Sequence, residues 1–308
     1  MKVAFFGTPE FALDSLRSLC DGPHQVMGVV SAPDRPAGRG KRMTAPPVAS
    51  DAKQRNLPLL QPENLRDPLF LESLKSWGAE VFAVVAFRIL PEEVFGMPRH
   101  GAINLHASLL PAYRGAAPIN WALWNGAKTT GLTTFHIEKS VDTGNILLQA
   151  PVEISDQDDA GSLSEKMARV GALLLVTTLT DLEAGRLTAK LQDHAKSSPA
   201  PKITKEHGLI NWQQPARLIH NQIRALSPEP AAFTTFENLN LRIFRSEVSE
   251  SSSGPEPGMV QISDQGIVIG TAEGSLRILE LQLQGKNRMD TKAFLRGYRP
   301  RGTFKLNS

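Results

Sequence analysis

The sequence contains one cysteine in 308 residues, and that scarcity excludes an intramolecular disulfide and any Cys-rich zinc site. The thiol, Cys20, falls in an apolar helical pattern that suits a packed, unreactive position. No apolar run approaches the ~20 residues that a bilayer crossing requires. The opening residues, Met1 to Pro9, lack the long apolar stretch and small-residue cleavage site of a secretory leader, so the chain is expected to act in the cytoplasm. No Gly-x-Gly-x-x-Gly follows the first strand-like run, which argues against a dinucleotide cofactor. Internal repeats are absent too, and nothing implies a bound metal.

What is present is the balance of a soluble globular protein, with 41% hydrophobic and 21% charged residues in a length that accommodates two domains. The net charge of +3 is unevenly spread. Residues 1–208 carry 22 cations against 22 acids, whereas residues 209–308 carry 12 against 9. Within residues 285–308, Lys286, Arg288, Lys292, Arg296, Arg299, Arg301 and Lys305 face Asp290 alone, a basic surface suited to a polyanion.

Taken in order, Lys2 to Phe6 reads as a strand, Phe11 to Leu19 as a helix and Gln25 to Val30 as a second strand, a βαβ opening that predicts a mostly parallel sheet. Residues 32–47, rich in Pro and Gly, are expected to form an irregular, mobile basic loop, long enough to have a function. Helices are predicted over Val48 to Asn56 and Leu69 to Trp77, and a buried strand over Glu80 to Val85. The loop after that strand, with Phe87, Arg88, Ile89 and Leu90, is a candidate wall for an apolar pocket. Further strands are expected over Thr130 to His136 and Ile146 to Val152, with a long helix from Ser162, whose partner in a capping box would be Glu165. The expected organisation is a catalytic domain over 1–190, an extended linker over 191–207 and a C-terminal domain over 208–308. In that last domain five short strand-like runs suggest a small barrel, with residues 246–257 as a disordered loop.

The run from Ala102 to Gly115 is the centre of the sequence. Its alternating start reads as a strand end, and strand residues two apart share a face, so Asn104 and His106 would project together. A carboxamide donor beside a base that can also carry a proton suits a reaction in which a carbonyl oxygen turns negative and an amine loses a proton. The boundary Val141-Asp142-Thr143-Gly144 is the candidate source of a carboxylate. Asn-x-His alone is a weak pattern, and Asp-Thr-Gly is also an ordinary turn.

In combination these features are specific. The start Phe5-Phe6-Gly7-Thr8-Pro9-Glu10-Phe11-Ala12, the loop Asp34-Arg35-x-x-Gly38-Arg39-Gly40-Lys41, Asn104-x-His106, Ser108 to Gly115 and Asp142-x-Gly144 together resemble the formyltetrahydrofolate-dependent formyltransferases. The resemblance covers nearly the whole chain, including a C-terminal barrel of OB type. It implies a doubly wound α/β catalytic domain of Rossmann-like form. It also implies transfer of the formyl group of 10-formyltetrahydrofolate to the α-amino group of methionyl-initiator tRNA; apart from the resemblance, the chain is expected to be a monomer without a metal. Asn104, His106 and Asp142 would be the catalytic trio: Asn104 and protonated His106 would stabilise the oxyanion, and Asp142 would hold His106 and help remove the amine proton. Ser108, Leu109, Leu110 and Pro111, with Phe87, Arg88, Ile89 and Leu90, would contact the folate. Arg39, Lys41, Arg42, Lys286, Arg288, Arg296 and Arg299 would contact the tRNA. A sugar-nucleotide formyltransferase, a formyltetrahydrofolate hydrolase and an RNA-binding module that has lost activity are the alternatives.

Overall fold

The computed structural model describes residues 1–37, 42–249, 255–263, 266–297 and 304–306. Arg39, Lys41 and Arg299 therefore lie outside the described residues. The chain divides into two compact units, one of residues 1–118, 129–153 and 164–201, the other of residues 119–128, 154–163 and 202–308. No helix among the described residues is long and apolar enough to cross a membrane.

The elements run β1 (Lys2–Gly7), α1 (Leu13–Cys20), β2 (Gln25–Val30), β3 (Arg35–Ala37), β4 (Arg42–Thr44), α2 (Pro47–Gln54), β5 (Leu59–Leu60), α3 (Pro68–Ser76), β6 (Val81–Val85), α4 (Glu92–Phe95), β7 (Ala102–His106), α5 (Pro118–Trp124), β8 (Thr129–His136), β9 (Ile146–Glu153) and α6 (Ala160–Glu183). The first unit's sheet has the order β5-β2-β1-β6-β7-β8-β9. Its first five strands are parallel, and β8 and β9 are antiparallel to their neighbours. β6 is buried along its whole length and β1 everywhere beyond Lys2, because helices cover both faces of a parallel sheet. That is why both read as continuous apolar runs rather than alternating ones. On one face Phe6, Phe70, Leu74, Phe82 and Val94 form a continuous core.

This order places the site. The chain builds outward from β1 through β2 to β5, then returns to lay β6 and β7 on the other side, so the strand order reverses at β1. In such sheets ligands enter at the carboxyl edge beside the reversal. Gly7 and Val85 end neighbouring strands there, and His106 ends the strand beyond.

Two local expectations for this half of the chain are corrected. Residues 32–47 are not wholly irregular, since β3 and β4 pair as a two-stranded antiparallel ribbon with Arg35 opposite Thr44 and Pro36 opposite Met43. A ribbon of two strands is all edge, so the missing N–H of Pro36 leaves no interior ladder incomplete. Helix α6 begins at Ala160, two residues before the expected cap. Asp159 accepts from the Ser162 N–H at 2.9 Å while the Ser162 hydroxyl accepts from the Asp159 N–H at 3.0 Å, so the reciprocal cap is Asp159 with Ser162.

The second unit continues with α7 (Ala216–Leu226), β10 (Ala232–Phe236), β11 (Leu239–Ser249), β12 (Met259–Ser263), β13 (Gly266–Gly270), β14 (Ser275–Leu283), β15 (Met289–Asp290), α8 (Thr291–Gly297) and β16 (Phe304–Lys305). Its sheet, ordered β10-β11-β14-β13-β12-β16, is antiparallel throughout, and β15 pairs with β14. Phe236, Ile243, Val260, Ile269, Ile278 and Phe294, drawn from five strands and α8, meet in one core, the arrangement of a small barrel. The stretch 246–257 is also corrected in part. β11 runs on to Ser249 because Ser246 to Ser249 complete the ladder with β14, where Glu247 meets Arg277 at 3.6 Å.

Candidate active site

β7 delivers Asn104 and His106 to one face at the carboxyl edge, and the loop after it turns back across the strand end. His106 and Asp142 are both buried, and His106 Nδ1 lies 3.8 Å from Asp142 Oδ2. His106 Nε2 is 2.9 Å from the Tyr113 carbonyl oxygen, which can only accept, so this nitrogen carries the proton of the neutral ring. The Nδ1 lone pair then faces Asp142. On protonation the imidazolium has an acceptor at each nitrogen, a carbonyl at one and a carboxylate at the other.

Asp142 is held on several sides. Its Oδ2 accepts the Gly115 N–H at 2.9 Å. Its backbone is left-handed, with φ of 54°, as is that of Tyr113 at 57° and of Ala86 at 46°. A residue with a Cβ pays about 1 kcal/mol for this conformation, so three such residues along one sheet edge mark a place where position outweighs local comfort. Gly144 follows because nothing larger fits: a Cβ there would run into the His136 carbonyl. Gly115, with φ of 124°, has the Ala200 carbonyl where its Cβ would be, at 2.6 Å.

Asn104 is half-buried, and its carboxamide has no hydrogen-bond partner among the described residues. A donor left unpaired beside a buried His-Asp pair is available to an incoming oxygen. The structure thus brings Asn104, His106 and Asp142 to one edge of one unit.

The other predicted residues divide. Ser108 is fully buried and its hydroxyl donates to the Ala112 carbonyl at 2.6 Å, so it shapes the turn rather than offering a surface. Leu110 is buried with Phe135 and Ile146, whereas Leu109 and Pro111 are half-buried. Phe87 packs edge-on to Phe6 with ring centroids 5.6 Å apart, and Leu90 belongs to the core beneath the loop. Ile89 is 74% exposed, a large apolar side chain standing at the carboxyl edge. The Arg88 guanidinium donates to the carbonyls of Glu63, at 2.8 Å, and Pro62, and burial followed by the Arg35 cation holds its pKa below the usual value. It braces the loop. Arg42 is exposed on β4. Lys286 and Arg296 are exposed on the second unit, but Arg288 is committed, with a bidentate pair to Glu280 at 2.6 and 2.7 Å and its guanidinium 4.2 Å from the Phe244 ring centre. Glu280 holds the pKa of Arg288 above its usual value.

Sequence reasoning missed several groups that hold this site. Thr133, opposite His106 on β8, donates to the Ser108 carbonyl at 2.7 Å and accepts from the Leu110 N–H at 3.0 Å and from Gln149 at 2.9 Å. The segment after α6 had only the composition of a linker, yet Ser198 accepts from the Tyr113 N–H, its carbonyl accepts from the Arg114 N–H, and Ala200 donates to the Arg114 carbonyl. Buried Gln192 donates to the carbonyls of Asp142 and Gly144. Most of these partners are backbone groups, which any residue supplies, so no residue type announced them. A Gln in a stretch otherwise short of buried side chains was the one visible signal.

Comparison with known proteins bears on this arrangement. A family model described as formyl transferase matches residues 1–179, and one described as formyl transferase, C-terminal domain, matches residues 202–299. The chain is 45% identical over 296 residues to the methionyl-tRNA formyltransferase of Thermodesulfovibrio yellowstonii, covering 96% of this chain and 95% of that protein. It is 43% identical over 306 residues to that of Caldanaerobacter subterraneus subsp. tengcongensis, covering 98% and 99%. Among solved structures, the N-formyltransferase from Helicobacter canadensis, in complex with folinic acid and dTDP-3-aminofucose, shares the fold with a TM-score of 0.69 at 20% identity, covering 94% of this chain and all of that one.

Proposed function

The chain belongs to the formyl transferase family, and from that premise we infer that it transfers a formyl group from a folate donor, 10-formyltetrahydrofolate, to the α-amino group of methionyl-initiator tRNA. The free amine attacks the formyl carbon, and the formyl oxygen becomes negative as the new C–N bond forms. The Asn104 carboxamide donates to that oxygen, and the His106 imidazolium, held between the Tyr113 carbonyl and the Asp142 carboxylate, stabilises it by its positive charge. The amine proton leaves through this pair, and the C–N bond to the donor breaks as that nitrogen regains a proton. Ile89 and Phe87 offer the apolar surface for the flat ring of the donor, and Arg42, Lys286 and Arg296 remain exposed for phosphates.

The observation that carries the reading is the buried His106–Asp142 pair beside the unpaired Asn104 amide, in a chain at least 43% identical to two methionyl-tRNA formyltransferases over nearly its full length. The test is incubation with 10-formyltetrahydrofolate and methionyl-initiator tRNA, with formylmethionine as the expected product. Formylation of an amino-sugar nucleotide in preference to the charged tRNA, or release of formate without transfer, would overturn it.

A further inference from the structure

The Asp142 carboxylate lies 3.8 Å from His106 Nδ1 on a residue of a loop turn, so the direction of that carboxylate depends on how the turn is held. Its own turn does not secure it, since its φ is left-handed and the residue two along must be glycine. What spans the turn from behind is one side chain. Gln192 Nε2 donates to the Asp142 carbonyl at 3.0 Å and to the Gly144 carbonyl at 2.7 Å, while its Oε1 accepts from Arg114 Nε at 3.2 Å and Nη2 at 2.5 Å. The amide cannot be turned over, because two carbonyls on one side need its donors and a guanidinium on the other needs its acceptor. The next residue after Arg114 is Gly115, whose N–H binds the Asp142 carboxylate. One loop therefore grips Asp142 twice, at the carboxylate through Gly115 and at the backbone through Arg114 and Gln192. Only a side chain with both a donor and an acceptor end closes that ring, and Gln192, 6% exposed, is in position to do so.

We propose that Gln192 is a positioning residue for the transfer: it fixes the Asp142 turn so that the carboxylate stays on His106, with Arg114 orienting the amide. The proposal rests on the reading of Asp142 given above.

The test is a substitution cycle in the full chain, read as kcat and as KM for the folate donor and the charged tRNA. Gln192→Met keeps the volume and loses all four hydrogen bonds, whereas Gln192→Glu keeps the acceptor for Arg114 but sets an oxygen against the two carbonyls. Each should lower kcat by about 10- to 100-fold with both KM values within about twofold, and the Glu variant should be no better than the Met variant despite its stronger pair with Arg114. In an Asp142→Asn background, Gln192→Met should cost less than about twofold further, because the two act as one unit. A kcat within twofold of the parent, a loss confined to KM, or losses that multiply with Asp142→Asn would each overturn the proposal. If the Met variant fails to fold, the Glu variant carries the same criteria. Should Asp142→Asn alone leave kcat within twofold, the reading of the site fails; should it abolish turnover while both Gln192 variants are silent, only the role of Gln192 fails.

Discussion

The carboxyl edge of the first unit and the outer surface of the second use polar residues in opposite ways. At the edge, His106, Ser108, Asp142 and Gln192 are all buried, and each has a named partner within the same unit. On the second unit Lys286 and Arg296 stand exposed above an apolar core. Chemistry on a small group demands fixed geometry, and fixed geometry requires buried donors and acceptors matched one to one. Attraction of a polyanion demands only charge near the surface, which tolerates loose side chains and weak order. One half of the molecule is built for position, the other for charge.

The sharpest way to break that contrast is at the trio. His106→Ala and Asp142→Asn should each lower kcat by about 100-fold or more while folate affinity, measured by fluorescence titration, stays within about twofold. A variant that loses affinity and turnover together would mean that the edge binds rather than acts.

The same glycine-to-alanine change compares the two units directly. Gly144→Ala drives a Cβ into the His136 carbonyl and should cost about 3 kcal/mol in chemical denaturation, along with most of the activity. Gly285, in an open turn of the second unit with φ of 78° and nothing near its Cβ position, should cost about 1 kcal/mol on the same change, with no loss of activity.

The second unit also has buried polar groups with fixed partners, such as Gln222 and Arg224, and the half-buried His220 lies beside them. His220 on α7 donates to or accepts from Ser246 at 3.0 Å, and burial, then Arg224, then Arg217 lower its pKa from 6.5 to about 4, against the opposing pull of Asp156. Between those values the unfolded chain binds more protons than the native unit, so stability present at neutral pH is lost as pH falls from about 6.5 to about 4. Denaturation across that range should show a loss of about 2 to 3 kcal/mol that His220→Gln removes. A variant with the parent's slope would assign the loss to another group.

The smallest effect belongs to the exposed cations. Lys286→Glu or Arg296→Glu should weaken tRNA binding by about 3- to 10-fold and flatten its salt dependence by about one unit of slope for each phosphate no longer neutralised, with kcat at saturation unchanged. If kcat falls instead, charge and position are not as separate as the two regions suggest.

The sequence made these regions legible to different depths. The strand ending at Val85 could be read because burial on both faces forces an apolar run, and the one ending at His106 could be read from its alternating apolar and polar residues. Asp142 was legible through the Asp-x-Gly spacing, which the structure explains by the His136 carbonyl pressing on Gly144. The basic character of the last residues could be counted, yet counting did not separate Arg288, locked to Glu280, from Lys286, which is exposed. That difference depends on a strand pairing that brings Asp290 opposite Glu280. The β3–β4 ribbon and the final extension of β11 were hidden because each is stabilised by its pairing partner rather than by its own pattern.

The tie between residues 114–117 and 198–200 has a consequence for biosynthesis. Asn104, His106 and Asp142 leave the ribosome well before Gln192 and Ser198, and the domain cannot close its loops until those late residues follow. A nascent chain of about the first 190 residues thus carries the whole trio without the strut that holds it. The Asp142 turn gains that strut only when nearly two thirds of the polypeptide has been made, with most of the second unit still to emerge.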